Sequence, residues 1–133
     1  MIAEKISTWL RQYVEKNNLK TLVVGVSGGI DSAVTSTLCA MTGLPVVAVN
    51  MPLHSSEVNN EMSNIHLQWL SDKFSNVSTD IISLGSTYDT FSRTLDRYHT
   101  DLGLANTKSR LRMVALYQIA SSTNGIVTGK PMI

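Results

Sequence analysis

Apolar residues recur along this chain in two rhythms, and the rhythms divide it into elements. Ile2, Ile6, Trp9, Leu10 and Tyr13 fall at helical spacing, which predicts an amphipathic first helix ending near Asn17-Asn18. Residues 21–26 form a run too continuous in apolar side chains for a half-exposed strand, and predict a buried one. A second helix is expected over 32–41, stopped by Gly43 with Pro45 beyond. Residues 45–50 read as a second buried strand closed by Pro52. Val58, Met62, Ile65, Trp69 and Leu70 mark a third helix, with Glu57 and Glu61 favourably near its N-terminus. A third strand is expected over 80–84, and Tyr88, Phe91, Leu95 and Tyr98 suggest a short fourth helix. A fifth helix over 105–121 and a fourth strand starting at 125–128 complete the pattern.

Strands that alternate with helices imply an α/β fold, a doubly wound parallel sheet with right-handed crossovers and helices on both faces. No repeat, linker or low-complexity tract interrupts the chain, so residues 1–133 are expected to form a single domain. Composition narrows the class. Apolar content of 43% and charged content of 16% fit a soluble globular protein, and no apolar run reaches membrane-spanning length. A net charge of +1 gives no case for nucleic-acid binding. The first residues carry no long apolar stretch of a secretory signal, and a lone cysteine makes no internal disulfide. A cytoplasmic protein is expected. Cys39, inside an apolar helix without a neighbouring His or Asp, reads as a buried thiol. His54, His66 and His99 lack metal spacing, and His66 reads as a partly buried packing residue. The six methionines read as core filling.

The chemistry concentrates in Leu22-Val23-Val24-Gly25-Val26-Ser27-Gly28-Gly29-Ile30-Asp31-Ser32. A strand that ends in glycines and turns into a helix aims backbone N–H groups, backed by the helix dipole, at one anion. Gly28 and Gly29 permit positive φ and close approach of a ligand. Ser27 and Ser32 add hydroxyls, and Asp31 is a carboxylate suited to magnesium beside phosphate oxygens. Two common glycine loops are excluded. Counting from Gly25, a Walker A pattern would need glycine at Ile30 and lysine at Asp31, and a dinucleotide fingerprint would need glycine at Ser27. A loop without that lysine suits cradling pyrophosphate better than γ-phosphoryl transfer.

The string Ser27-Gly28-Gly29-Ile30-Asp31-Ser32 resembles the SGGxDS signature of the N-type ATP pyrophosphatases. Asn106-Thr107-Lys108-Ser109-Arg110-Leu111-Arg112-Met113, then Tyr117 and the run Gly125-Ile126-Val127-Thr128-Gly129, resemble the N-x-K-x-R-x-R-M segment and following strand of ammonia-dependent NAD⁺ synthetases. The likeness runs from the first helix to Gly129. It implies an adenine nucleotide alpha hydrolase-like sheet of order 3-2-1-4, with the loop at the switch point between strands 1 and 4. It implies ATP on Gly25, Val26, Ser27, Gly28, Gly29, Ile30, Asp31 and Ser32, with Ser27, Asp31 and Ser32 catalytic and Asp31 a magnesium ligand. Asn106, Arg110 and Tyr117 would contact deamido-NAD⁺. The implied reaction is amidation: the nicotinate carboxylate attacks the α-phosphorus of ATP, and ammonia then displaces AMP from the acyl-adenylate. A homodimer is implied as well.

Lys108 and Arg112 read as solvated, and the group Arg93, Arg97, His99 and Lys108 reads as a solvated face, with a weak anion-attracting rim as the alternative. Two stretches depart from the family pattern. Met51-Pro52-Leu53-His54-Ser55-Ser56-Glu57 stands where relatives carry a Pro-Tyr-Gly-x-Gln-like loop, keeping the proline and not the glutamine. Lys130 follows Gly129 where relatives have threonine and, shortly after, a metal-binding glutamate. The last family strand is therefore expected to be missing, leaving an exposed sheet edge. Three alternatives stand beside a working synthetase. They are a truncated remnant that binds nucleotide with little turnover, another N-type ATP pyrophosphatase, and a non-catalytic interaction module.

Overall fold

The computed structural model describes residues 1–129; the departure at Lys130 lies outside them. The elements run α1 (Ile2–Lys16), β1 (Thr21–Gly25), α2 (Ile30–Met41), β2 (Val46–Asn50), α3 (Glu57–Lys73), β3 (Val77–Ile81), α4 (Gly85–Thr94), α5 (Asp101–Ser122) and β4 (Gly125–Thr128). The strands form a parallel sheet in the expected order, β3-β2-β1-β4. Central β1 is buried along its whole length, as its unbroken apolar run requires. Among the described residues β4 pairs only with β1.

Side chains of β1 and β2 alternate between two cores, one on each face of the sheet. Leu22, Val24, Val46 and Ala48 meet Val14, Cys39, Leu67 and Leu70 from α1, α2 and α3. Val23 and Val49 meet Met51 with Leu116 and Ala120 of α5. Burial of this kind stabilises by about 25 cal/mol per Å² of apolar area, so both faces need their helices. Cys39 is buried as expected, and desolvation pushes its thiol up to about 11.

Several expectations are corrected. β3 ends at Ile81 rather than occupying 80–84. It is an edge strand with only Val77 buried, so its pattern is mostly polar, while Ile82 and Leu84 leave it to pack on the α5-side core. Helix α5 starts at Asp101, because the Thr100 hydroxyl accepts from the Gly103 N–H at 3.0 Å. The apolar stripes that marked α1 and α3 largely face outward. Trp9 is 61% exposed and Ile65 63%, with Ile2, Ile6, Tyr13, Val58, Met62 and Trp69 also exposed. Of those stripes Leu70 is buried and Leu10 packs against the core; the rest of the inward faces is Val14 and Leu67 together with small Ser7 and Ser63. Serine lets a helix approach closely, and Ser7 satisfies its hydroxyl on the Leu38 carbonyl at 2.9 Å. The methionines divide likewise: Met51 is core, whereas Met1, Met41 and Met62 are exposed.

Candidate functional site

At the carboxyl end of β1 the chain turns sharply into α2. Gly28 takes φ +86°, a left-handed conformation, and a Cβ there would sit 2.5 Å from the Asn59 carbonyl oxygen. The turn is thus wedged against the first turns of α3, and only glycine fits. Gly29 is the N-cap of α2 and offers no side-chain hydrogen bond to it, so the positive end of this helix faces the turn without a capping side chain. The loop's donors bond within the loop. The Ser27 N–H donates to Ser32 Oγ at 3.0 Å, and the Gly29 N–H donates to Ser27 Oγ at 3.4 Å. Ser32 Oγ donates to the Gly29 carbonyl at 3.1 Å, and the two hydroxyls lie 3.2 Å apart. Hydroxyl oxygens therefore take the N–H groups that an anion would otherwise take.

This turn opens on a cleft of about 810 Å³ at the carboxyl ends of β1, β2 and β4, within the roughly 300–1,000 Å³ typical of small-ligand sites. Gly25, Val26, Ser27, Gly29, Asp31 and Ser32 line it, while Gly28 and Ile30 do not. Asp31 lies in the first turn of α2 and is the sole carboxylate among the described lining residues. Among the described residues no group of three His, Cys, Asp or Glu side chains could hold a metal. One carboxylate at a phosphate-sized turn still suits magnesium, which keeps several waters and is ordinarily shared with substrate phosphates.

Helix α5 forms the opposite wall, and here the structure corrects the expected distribution of charge. Lys108, Arg112 and Leu116, one turn apart, line the cleft. The half-buried guanidinium of Arg112 donates from Nε to the Met51 carbonyl at 3.2 Å and from Nη2 to Ser55 Oγ at 3.3 Å. Burial lowers its pKa from the ordinary value. The Lys108 ammonium lies 5.2 Å from the centre of the Tyr88 ring. Arg93, Arg97 and His99 are exposed as expected. Asn106, Arg110 and Tyr117 line no part of this cleft: Asn106 is half-buried, and Arg110 and the 62% exposed Tyr117 face outward. Site residues carried over from the family motifs thus fall into two places.

The β2–α3 connection roofs the cleft. His54, at φ +53°, places Nε2 2.8 Å from Asp89 Oδ1 of α4, and its ring meets Tyr88 edge-on. Asn50, buried at the end of β2, donates to Asn60 and Asn64 of α3 at 2.8 and 2.9 Å. These asparagines escaped the reading of the sequence, and Lys108 and Arg112, read there as solvated, line the cleft. The signal for the two cations was the four-residue spacing to Leu116, which continues one helix face. His66 packs on Trp69 and reaches Ser36 Oγ at 2.8 Å, the packing role expected of it.

Comparison with known proteins agrees with this architecture. The family model described as NAD synthase matches residues 2–131. The NH(3)-dependent NAD(+) synthetase of Finegoldia magna is 32% identical over 127 residues, 95% of this chain and 51% of that protein. That of Mesoplasma florum is 35% identical over 126 residues, 91% of this chain and 49% of its own. Among solved structures, NMN synthetase from Francisella tularensis superposes with a TM-score of 0.84 at 29% identity, covering 94% of this chain and 51% of that one. The NH3-dependent NAD synthetase from Campylobacter jejuni, in complex with the nitrate ion, gives 0.82 at 32% identity, covering 95% and 53%. The chain spans about half the length of the curated relatives it matches. By its family model, its relatives and its fold, the chain belongs to the NAD synthase family.

Proposed function

We propose that the cleft binds ATP with magnesium and serves the ATP-dependent amidation of deamido-NAD⁺ to NAD⁺ with ammonia. The observation that carries this reading is the glycine turn at the uncapped start of α2, opening on the cleft. A phosphate oxygen accepts more strongly than the serine oxygens that now take the Ser27 and Gly29 N–H groups. Binding would release both serine oxygens from the N–H groups they now accept. In the first step the nicotinate carboxylate attacks the α-phosphorus, and pyrophosphate leaves. Gly28, Gly29, Ser27 and Ser32 hold that leaving group, while Gly25, Val26 and Ile30 shape the turn around it. Asp31 would hold magnesium beside these oxygens, and the ion supplies charge neutralisation there. In the second step ammonia attacks the acyl carbon and AMP leaves. Both steps build negative charge at phosphorus or at an acyl oxygen, so fixed donors do most of the catalysis.

The outer face of α5 is assigned to groups of deamido-NAD⁺ remote from the reacting carboxylate, which itself must enter the cleft: Arg110 pairs an anionic group, Asn106 lies one turn before it, and Tyr117 offers a ring for stacking. Leu102 and Val114, 73% and 61% exposed, share that face, and a second copy of the chain covering it would bring substrate to a dimer interface. Among the described residues no helix is long and apolar enough to cross a membrane, in keeping with a protein acting in the cytosol.

A second reading, nucleotide binding with little turnover, is favoured by Asp31 being the single lining carboxylate among the described residues. Two measurements separate them. Isothermal titration with Mg·ATP should give saturable heat, and no heat at millimolar nucleotide would defeat both readings. NAD⁺ formation from deamido-NAD⁺, ATP and ammonium would establish the first reading, and its absence with intact binding the second.

A further inference from the structure

The loop lacks the lysine that a Walker A turn aims at phosphate, yet the cleft is not without cations. Lys108 and Arg112 of α5 line it from the wall opposite the glycine turn. Arg112 stands out for how it is held. Guanidinium has five N–H donors; one on Nε and one on Nη2 are fixed by the Met51 carbonyl and Ser55 Oγ, which leaves three. Both partners are neutral, so among the described residues no carboxylate satisfies the charge. Burying an uncompensated guanidinium costs free energy, and such a group accepts an anion readily. The two bonds also hold the planar head at the cleft before any ligand arrives, which lowers the entropy lost on binding.

We propose that Arg112 contacts the phosphate chain of the nucleotide directly, with Lys108 as a second cation, so that α5 supplies the charge the glycine turn omits. This rests on the nucleotide reading above. Ser55 and the Met51 carbonyl then position Arg112. Arg110, two residues away, takes no part in binding the phosphate chain of ATP, because it lies outside the cleft.

The test is titration of the whole chain with Mg·ATP and, separately, with Mg·pyrophosphate. R112Q should weaken both by about tenfold or more, as loss of a charged hydrogen bond requires, and flatten the dependence of affinity on salt. K108Q should weaken both less. S55A should weaken binding in the parent and not in R112Q. Binding of both probes by folded R112Q within about twofold of the parent would overturn the proposal. Should R112Q fail to fold, the parent decides: the Arg112 Nε–H resonance must shift on saturation with Mg·pyrophosphate, and an unmoved resonance overturns the proposal. A parent that binds neither probe defeats the nucleotide reading itself. A parent that binds while R112Q matches it defeats the role of Arg112 alone.

Discussion

The two walls of the cleft obey different rules. The glycine turn works through its backbone: its donors are peptide N–H groups, and its shape is set by φ at Gly28 and by contact with α3. Helix α5 works through side chains, and its backbone is occupied in ordinary helical bonds. A backbone site tolerates almost no change at one position and much at the next. A side-chain site loses affinity gradually, residue by residue. Adjacent glycines test this most severely. Gly28→Ala should destabilise the fold by about 3 kcal/mol or more, because it combines positive φ with a backbone clash, and should abolish Mg·ATP binding. Gly29→Ala, at φ −87° with only Ser27 Oγ within 3.6 Å of the new Cβ, should cost less than about 1 kcal/mol. Urea unfolding measures both, and equal losses would break the distinction.

That distinction also explains what could be read from the chain. The turn was legible because glycines, serines and an aspartate between a β-branched run and a helix leave few alternatives. β1 and β2 were legible because buried parallel strands are mostly apolar. Helix α5 was not. It carries cleft-facing cations on one face and exposed Val114 and Tyr117 on another, so apolarity does not mark its inward side. Periodicity also misassigned the faces of α1 and α3, whose exposed stripes of Ile, Met and Trp read as core. The local rhythm was right about helix and only partly right about direction, because Ser7 and Ser63 occupy buried positions that carry no apolar signal.

Asp31 sharpens the comparison from the loop side, as the turn's one charged side chain. Asp31→Asn should weaken Mg·ATP binding by about tenfold, the scale of a lost metal or charged contact, while leaving binding of magnesium-free ATP within about twofold. Titration with and without magnesium reads the difference. Equal loss in both would make Asp31 a contributor to the turn's fold rather than a metal ligand.

The two arginines of α5 separate its faces. Arg110→Gln should leave Mg·ATP affinity within about twofold of the parent, unlike the substitution at Arg112, and should weaken deamido-NAD⁺ by about tenfold through its lost ionic hydrogen bonds. Loss of ATP affinity in R110Q would place both cations at one site and dissolve the division of the helix.

Beneath the glycine turn the smallest effect is expected, and it depends on pH. Ser36 Oγ donates to the Ser32 carbonyl at 2.7 Å and lies 2.8 Å from His66 Nε2, which links α3 to the serine that holds the turn closed. Burial lowers the His66 pKa from its ordinary value of 6.5, so the unfolded chain takes up this proton before the folded one does. Stability therefore falls as pH drops below 6.5 and stops falling once the folded imidazole is protonated too. H66Q keeps a neutral hydrogen-bonding group and removes the titration. The urea midpoint should drop further between pH 7.5 and pH 5 in the parent than in H66Q, and parallel losses would show that the proton is taken up equally by both states.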